Sequence, residues 1–484
     1  MSVSQRSASR LNLLILNFLN RYGSYESDPK WEIRESKVGG LGVFATCDID
    51  VGELVFIDSP VLLGPRCIPD CPLICVSCFR QNNLASCNRG CGLPVCCARC
   101  QDASAHQREC KLIRQYRSET LNDISSDLFE NLTPIRSLLL HPDDREVVTS
   151  LIAHNRDQHG HEVTTLKSLG FQFKEDDEKF MRFVCCVLDA NAFEVTLGRE
   201  NIKSSLRGLY PLGSLANHSC VPNLVHTFNH RHQMVAKAAV FIPKDTELFH
   251  SYTRLIWGTT TRLYHLYKTK HFVCKCPRCQ DPSEFGTYMS SILCKSCRGI
   301  VSPLNPYKSH GKWQCRDCKK VILGREVGEL TTLLGAILRD IDQKDFKFMY
   351  NFLQGKLKTV VPEYNQVTVE LKYKIIWHLG HKQGYTWEEL TIDLLEFKES
   401  LCKDILLLLE KLRCGQNKIR ALLLYELFCC IREKRNRSKA TSRNPITNDM
   451  DSYIKEAAVI MEHDVGAPEE IINLLEHNKD KIPV

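Results

Sequence analysis

The sequence predicts a multidomain α+β protein, in which a β-core is interrupted by cysteine-rich modules and followed by an α-helical C-terminal domain. Three observations support this fold class. The chain has 484 residues, enough for roughly three domains of ~150 residues. Fifteen of its 25 cysteines fall into zinc-type spacings between Cys75 and Cys318. Strand and turn patterns alternate with these cysteines, whereas helical periods dominate beyond Leu323.

The composition excludes several classes of protein. Apolar residues at 43% and charged residues at 25% rule out a wholly disordered chain, a collagen and a coiled-coil rod. No apolar run reaches the eighteen or so residues of a membrane-spanning helix, so no membrane partner is expected. The apolar stretch 11–19 is predicted to be a short amphipathic helix rather than a signal peptide, because no small-residue cleavage site follows it.

The formal net charge of +7 treats every cysteine as neutral. Zinc ligands bind as thiolates, and fifteen thiolates with four Zn²⁺ ions would together add seven negative charges. The zinc-loaded chain is then close to neutral. Its formal basicity gives no reason to expect nucleic-acid binding. Direct binding of nucleic acid, including sequence-specific DNA binding through the cysteine pairs at 294–318, is not expected, because no basic stripe is apparent.

The elements follow one another in a clear order. Short strands with glycine turns are followed by a cysteine-dense stretch, a helical region, further strands, more cysteine pairs and a helical end; the approximate limits are 31–59, 75–110, 111–207, 212–252, 274–318 and 323–484. The first helix of the last region has an apolar stripe formed by Val327, Leu330, Leu333, Leu334, Ile337, Leu338 and Ile341. Later helices are predicted over 401–412, 419–431, 453–463 and 468–477, the last with Pro468 just inside its start.

Two polar stretches receive structural rather than functional interpretations. The basic run 432–443 is interpreted as a solvated loop between helices, in preference to a nuclear signal. His154, His159 and His161 are interpreted as part of an exposed loop, not as a metal site.

The first cysteine cluster contains eight metal-ligand side chains in four pairs. Two tetrahedral zinc ions, each taking two pairs, would use all of them. Interleaved pairing is favoured, although spacing alone does not decide it: Cys75, Cys78, Cys96 and Cys100 on one ion, and Cys87, Cys91, His106 and Cys110 on the other. A segment of this size cannot bury enough apolar area to fold alone, so these ions would be structural.

Two further clusters predict two more zinc ions. Cys294-x2-Cys297 and Cys315-x2-Cys318 have the spacing of a zinc ribbon, with Trp313 covering its small core. The run Cys274-x-Cys276-x2-Cys279 is one ligand short of four. About four zinc ions per chain are therefore expected.

Two segments carry residues that do not resemble ordinary core or surface: 217–223, Asn-His-Ser-Cys-Val-Pro-Asn, and 247–252, Glu-Leu-Phe-His-Ser-Tyr. Together with Gly40-Leu41-Gly42 upstream and the Cys-x-Cys-x2-Cys run downstream, they resemble a SET domain with its post-SET zinc. The eight-ligand cluster resembles a MYND finger. A SET domain split by a MYND finger and a helical insertion is similar to the SMYD family, and the extra ribbon resembles its arthropod-type SMYD-A branch.

On this resemblance, the chain divides into eight parts. They are an N-terminal helix or tail (1–29), the SET N-terminal part (30–74), the MYND finger (75–110), the helical SET insertion (111–205), the SET C-terminal part (206–256), the post-SET zinc (257–284), the zinc ribbon (285–325) and the helical C-terminal domain (326–484). The last domain is expected to close over a face of the SET core, as its relatives' domains do.

The resemblance implies S-adenosylmethionine-dependent N-methylation of a lysine in a histone or non-histone protein. Tyr252 matches the active-site tyrosine of the family. Cys220 matches the thiolate that completes the post-SET zinc site. The positions that match cofactor-binding residues are Gly40, Leu41, Gly42, Asn191, Asn217, His218, Tyr252 and Phe272. No strong general base is required, since the donor is already activated and the chain need only align it with a neutral amine.

One departure from the family pattern favours an alternative function. Lys270 occupies a position where relatives often carry an aromatic wall of the lysine channel. A cation there would repel a substrate lysine or the sulfonium. The alternative is a catalytically weak or silent SET protein that acts as a transcriptional corepressor or adaptor, with its MYND finger binding proline-containing peptides. Either role is expected in the nucleus, the cytoplasm or both.

Overall fold

The computed structural model describes residues 8–24, 27–66, 72–153, 160–198, 205–308, 310–438 and 449–479. Its strands, in chain order, are β1 (Trp31–Glu35), β2 (Leu41–Ala45), β3 (Leu54–Asp58), β4 (Leu62–Pro65), β5 (Ala85–Ser86), β6 (Pro94–Val95), β7 (Phe193–Thr196), β8 (Ser205–Leu209), β9 (Asn217–His218), β10 (Leu224–Phe228), β11 (Met234–Ala238), β12 (Glu247–His250), β13 (Ile292–Leu293), β14 (Ile300–Pro303), β15 (Lys312–Cys315) and β16 (Val321–Leu323).

The helices form a longer series that dominates the second half of the chain. They are α1 (Ala8–Arg21), α2 (Ala98–Gln101), α3 (Ser104–Tyr116), α4 (Ser126–Glu130), α5 (Leu132–Ser137), α6 (Pro142–Ser150), α7 (His161–Ser168), α8 (Glu175–Asn191), α9 (Pro211–Leu215), α10 (Thr259–Lys270), α11 (Pro277–Gln280), α12 (Gly324–Arg339), α13 (Phe346–Gln354), α14 (Gln366–His378), α15 (Ile392–Lys411), α16 (Lys418–Ser438), α17 (Asp449–Met461) and α18 (Glu469–Lys479). Two 3₁₀ turns, Ile341–Gln343 and Leu357–Thr359, flank α13.

Three small sheets form the β-core, with strand orders β1-β2-β12-β9, β10-β11-β3 and β4-β8-β7. Each combines strands from before and after the insertion. In the first sheet β12 is antiparallel to β2 and parallel to β9, so Phe249 lies opposite Asn217 and His250 opposite His218. The multidomain α+β fold with a split core is therefore confirmed.

Helix α1 closes one side of this core. Leu11, Ile15, Phe18 and Leu19 recur at i, i+4, i+7 and i+8, and all four are buried. The side chain of Asn12 exchanges two hydrogen bonds with the backbone of Ile33 in β1, each of 2.8 Å. The apolar stretch near the start is thus an amphipathic helix packed on a strand edge.

Three elements cross expected domain boundaries: α3 at 110, β8 at 205 and α12 at 325. Helix α3 begins inside the MYND-like segment and continues to Tyr116, beyond the expected limit at residue 110. The reason is that His106 and Cys110 lie one helical turn apart, so the helix itself presents the last pair of ligands. Strand β7 lies within the segment 111–205 that is expected to be the helical insertion.

Ribbon and C-terminal helices share a second apolar core, separate from that of the SET region. The ribbon is a four-stranded antiparallel sheet, β13-β14-β15-β16, and Trp313 is buried in it as expected. The C-terminal domain packs on the β10-β11-β3 sheet. There the backbone amides of Gln416 and Val465 donate to the carbonyls of Ala239 and Phe228.

Three details of the helical region differ from expectation. Leu333 is exposed, whereas Val327 and Leu334 are buried and Leu330, Ile337 and Leu338 pack against the same core. Pro468 precedes α18 instead of lying inside it. The basic run begins as part of α16, in which Arg432 pairs with Glu470; residues 439–443 of that run lie outside the described part of the chain.

His154 and His159 likewise lie outside the described residues, whereas His161 begins α7. Within the described ranges, none of the helices has the length and apolarity needed to cross a bilayer.

Candidate active site and metal centres

Four clusters of cysteine and histidine side chains converge, and each presents four ligand atoms within 4.8 Å of one another. They are Cys75, Cys78, Cys96 and Cys100; Cys87, Cys91, His106 and Cys110; Cys220, Cys274, Cys276 and Cys279; and Cys294, Cys297, Cys315 and Cys318. The interleaved pairing favoured by the sequence is the one that the fold adopts. The fold also brings in Cys220 as the fourth post-SET ligand from a segment more than fifty residues away.

The spacing of the sulfur atoms fits zinc. A tetrahedral ion with Zn–S bonds of about 2.3 Å places its sulfur ligands about 3.8 Å apart. The Sγ–Sγ distances are 3.5 Å for Cys78 and Cys96, 3.5 Å for Cys220 and Cys279, and 3.7 Å for Cys294 and Cys318. Four protein ligands fill each site and leave no open position for a substrate. These are therefore structural zinc sites.

A buried ion pair connects the second MYND-like site to the SET core. The Nδ1 of His106 lies 3.7 Å from the carboxylate of Glu109, which accepts a 2.7 Å hydrogen bond from Arg136. Burial raises the pKa of Glu109, but Arg136 and His106 outweigh it and hold that pKa below its ordinary value. Arg136 also donates to the backbone carbonyls of Leu63 and Val76. Glu109 thus places a negative charge beside a metal ligand and links it through Arg136 to the SET core.

The post-SET site is supported by charged residues that sequence reasoning missed. Arg262 and Arg278 are fully buried, and both guanidinium groups pair with Glu284, at 3.0 Å and 3.3 Å. Arg262 also donates to the Sγ of Cys279. A site of four thiolates and one Zn²⁺ has a net charge of −2, which the two arginines help to balance.

Arg278 has a second role in the same region. It donates to the carbonyls of Leu255 and Trp257 and so fastens the loop that follows Tyr252. No spacing rule marks these residues, because they come from three segments that meet only in the folded chain.

The first sheet brings the glycine turn next to the Asn-His segment. The side-chain amide of Asn217 donates to the carbonyl of Leu41 at 3.0 Å and to the carboxylate of Glu247 at 2.7 Å. Glu247 also accepts from the hydroxyl of Ser36. A Cβ on Gly42 would overlap this carboxylate and would lie 3.0 Å from the Asn217 amide. Glu247 is thus the hub of the turn, a role that the sequence did not reveal.

Gly40 has a different reason to be glycine. Its φ of +60° lies in the left-handed region. A Cβ on Gly40 would meet no atom of the described chain within 4 Å. The turn therefore faces open space on this side, where a ligand can approach the backbone.

Tyr252 lies immediately after β12, half-buried next to His218 and Phe272. Its hydroxyl donates to the carbonyl of Ala216 at 2.8 Å. Burial, with a smaller contribution from Glu247, raises the pKa of Tyr252 well above its ordinary value, so the phenol stays protonated. The hydroxyl retains its oxygen lone pairs for a further partner.

His218 connects this tyrosine to the post-SET zinc. Its Nδ1 accepts a 2.9 Å hydrogen bond from the backbone amide of Tyr252, which assigns the ring proton to Nε2. That Nε2 lies 3.2 Å from the Sγ of Cys220. The ring also packs against Tyr252 and Phe272, at centroid distances of 5.2 Å and 5.9 Å.

Lys270 approaches the C-terminal end of α8, where Asn191 lies. Asn191 ends α8, and its side-chain amide donates to the carbonyls of Ile152 and Val187. The Nζ of Lys270 donates to the carbonyl of Ala190 at 2.7 Å and lies 5.8 Å from the ring centroid of Tyr252. Burial first, then Arg207, lowers the pKa of Lys270 to about 8.

The positions named from the sequence therefore fall into one neighbourhood. Leu41 and Gly42 lie in β2, directly after Gly40, and Asn217 and His218 form β9 of the same sheet; Tyr252 and Phe272 pack next to His218. Asn191 lies beyond Lys270, with its amide committed to backbone carbonyls. Sequence reasoning missed Glu247 and Asn223; the latter clamps β12 through the carbonyl of Glu247 and the amide of Phe249.

The chain is similar in sequence to several known proteins. The SET domain family model matches residues 40–253. A fruit fly protein, "SET domain-containing protein SmydA-8, isoform B" of Drosophila melanogaster, is 30% identical over 83% of this chain and 91% of its own length. The human histone-lysine N-methyltransferase SMYD3 is 24% identical over 57% of the chain and 68% of its own. Arabidopsis thaliana ASHR1, also named a histone-lysine N-methyltransferase, is 27% identical over 51% and 54%.

A solved structure of the SET domain of LSMT bound to lysine and AdoHcy aligns with 98% of this chain and 93% of its own, at 12% identity. The TM-score of this alignment is 0.28.

Proposed function

This chain belongs to the SMYD family of SET-domain proteins, in its SmydA branch, and from that premise we propose that it is an S-adenosylmethionine-dependent protein-lysine N-methyltransferase. The observation that carries the proposal is the convergence of the Gly40–Gly42 turn, Asn217-His218 and Tyr252 in one sheet neighbourhood. The substrate is proposed to be a lysine of a histone or another protein.

The geometry fits the proposed cofactor. Gly42 has no room for a side chain, and the backbone at Gly40 borders open space, as a turn that must approach a ligand closely requires. Asn217, His218 and the half-buried ring of Phe272 would complete the binding site. When bound, S-adenosylmethionine supplies a methyl group already activated on a sulfonium.

The chain's own residues then have to orient and desolvate the acceptor. A lysine amine with an ordinary pKa of about 10.4 must lose its proton before it attacks, and an apolar channel lowers that pKa. The Tyr252 hydroxyl, fixed by its bond to Ala216, offers its oxygen lone pairs to the amine in a site of fixed dipoles. His218 holds the Tyr252 backbone in place.

Lys270 supports a second candidate function. Its ammonium group faces the ring of Tyr252 from 5.8 Å, where a cation opposes both a sulfonium and a lysine ammonium. A SET core silenced in this way would serve as an adaptor, with protein partners bound at the MYND-like finger. The Lys270 amine donates a hydrogen bond to the Ala190 carbonyl, and its lowered pKa makes the neutral form easier to reach. For these two reasons we favour the methyltransferase over the adaptor.

Calorimetric titration of S-adenosylmethionine into the zinc-loaded chain tests the proposal first. A formed site should give micromolar binding, about −8 kcal/mol. Tyr252→Phe should keep that binding and the fold but lose methyl transfer to histones or to a peptide array. Failure of the folded, zinc-replete protein to bind the cofactor would refute the enzyme. Undiminished transfer by Tyr252→Phe would refute the role of its hydroxyl.

A further inference from the structure

The net positive charge of this chain is accounted for by its zinc ribbon. Among the 41 residues of 285–325 there are eight lysines and arginines and one acid, Asp317, so the segment has a formal charge of +7. This equals the net charge of the whole chain, and the other residues balance one another. Bound zinc sharpens the contrast, since four thiolates and one Zn²⁺ leave the ribbon at about +5 while the other three sites make the remainder negative.

The basic side chains of the ribbon point into solvent. The set is Lys295, Arg298, Lys308, Lys312, Arg316, Lys319, Lys320 and Arg325, and all are exposed. Within the described part of the chain only Arg325 approaches a carboxylate, that of Glu329 at 3.7 Å. Ion pairs elsewhere in this protein are numerous, so seven unpaired cations on one small module are a distinct feature of its surface.

Both zinc knuckles repeat the same arrangement of charge. Each has a basic residue directly after its first cysteine, Lys295 and Arg316, and another directly after its second, Arg298 and Lys319. The latter two adopt left-handed backbone conformations, with φ of 67° and 61°. The tight turn at each knuckle therefore displays two cations on adjoining loops. Arg298 itself is anchored to the carbonyls of Lys358 and Thr359.

The outer face of the ribbon sheet continues this surface. Strand pairing places Lys312 opposite Leu323 and Gln314 opposite both Val321 and Ser302, whereas Trp313 faces the buried side. Charge is present at the knuckles and, some four residues or ~13 Å away, at the hairpin tip near Lys308. It forms a track instead of a pocket.

A groove of 870 Å³ runs along the same face. Arg298, Arg316 and Lys319 line it, and the guanidinium of Arg316 stacks over the ring of Tyr288 at 5.1 Å. Two acids also line the groove: Asp281, which accepts from the hydroxyl and amide of Ser283, and Asp317. The groove is therefore lined by three cationic side chains, two acidic side chains and the aromatic ring of Tyr288.

Contrary to the expectation from the sequence, we propose that the zinc ribbon binds the phosphodiester backbone of a nucleic acid. Flexible lysines distributed along a track match a continuous line of phosphates, which in a duplex recur every ~1.7 Å of axis. An acidic peptide would instead favour convergent, bidentate arginines. The ring of Tyr288 in the groove and the exposed Tyr307 at the hairpin tip offer surfaces on which unpaired bases can stack. Binding of this kind would hold the SET site near chromatin or RNA, and it does not depend on methyl transfer.

Fluorescence anisotropy with the full-length, zinc-loaded protein tests the proposal. The probes are a labelled duplex DNA and a labelled single-stranded RNA of about 20 nucleotides, titrated from about 50 to 200 mM KCl, together with labelled polyglutamate as the acidic-polypeptide arm. Lys295, Lys312 and Lys320 are each changed to Glu in one triple variant. Its matched control changes the exposed Lys174, Lys244 and Lys455 to Glu. This alters the net charge of the chain by the same amount, but on surfaces outside the ribbon.

Micromolar binding of at least one nucleic acid is expected. The ribbon variant should lose about tenfold or more in affinity, and its log–log salt dependence should become shallower by about 2.7, three contacts at ~0.9 each. The control should lose less than about threefold. The relative affinities for duplex and single strand distinguish the two sources of phosphate.

Two precautions keep the result decisive. Zinc content and thermal unfolding are measured for every variant, and a second variant, Lys308→Glu with Lys312→Glu, changes the hairpin tip away from the zinc ligands. The proposal is overturned if no nucleic acid binds, if ribbon and control variants weaken equally, or if polyglutamate binds as tightly as the nucleic acids.

Discussion

Replacing Lys270 with methionine tests how far one buried amine limits the proposed cofactor site. The Nζ of Lys270 lies 5.8 Å from the Tyr252 ring, and its pKa is lowered to about 8. At pH 7 the amine is therefore mostly charged. A sulfonium bound about as far from the Lys270 Nζ as the Tyr252 ring is would be repelled by about 3 kcal/mol at an effective dielectric constant of 20.

The penalty on cofactor binding cannot reach that value, because the lysine can release its proton instead. One pKa unit above pH 7, the release costs about 1.4 kcal/mol, or a factor of about ten. Lys270→Met should therefore increase affinity for S-adenosylmethionine by up to about tenfold at pH 7. At pH 9 the wild-type amine is already neutral, and the gain should fall below about 1.5-fold.

Calorimetry at both pH values measures the effect, and Lys268→Met is the matched control. Lys268 lies on the same helix two residues earlier, but its Nζ faces the exposed ring of Tyr264, away from the site. The control should bind as wild type does. Equal affinities of wild type and Lys270→Met at pH 7, or a gain that persists undiminished at pH 9, would refute the electrostatic reasoning.

Three further changes probe the supporting structure. Gly42→Ala places a Cβ against the Glu247 carboxylate, so it should cost about 1–3 kcal/mol of unfolding free energy and weaken cofactor binding. The control, Gly328→Ala, lies at an open and exposed helical position and should stabilise the chain by about 0.5–1 kcal/mol. Urea unfolding compares the two variants, and equal changes in unfolding free energy would contradict the contact between Gly42 and Glu247. Glu284→Gln leaves the buried guanidinium groups of Arg262 and Arg278 without their carboxylate and should lower the unfolding free energy by about 3–5 kcal/mol. An unfolding free energy within 1 kcal/mol of wild type in the same assay would exclude a structural role for these ion pairs. Chelation should release about four zinc ions per chain and expose the buried Trp313, and fluorescence unchanged after complete zinc removal would show that the ribbon folds without its ion.

The metal sites were the part of this protein that the sequence predicted best. Cysteine pairs with two or three residues between them are typical of zinc sites, so local spacing identified the ribbon and the eight-ligand cluster. The family resemblance then named Cys220 as the distant fourth ligand of the post-SET site, and MYND pairing followed the interleaved order. Even the charge of the ribbon was present in the sequence. It was hidden by averaging over 484 residues and became evident only when the module was considered by itself.

The sequence by itself determined the helical end, the split core, the zinc ligands and the short list of residues near the candidate site. Tertiary structure alone decided how these residues act on one another. Glu247 explains why position 42 is glycine, the Ala190 carbonyl directs the Lys270 amine, and Glu284 joins two buried arginines. Zinc spacing and amphipathic periods are local, since one short segment contains all the atoms involved. The contacts of Glu247, Lys270 and Glu284 instead join different segments of the chain. They form only when complete elements pack together, and no local sequence pattern encodes that packing.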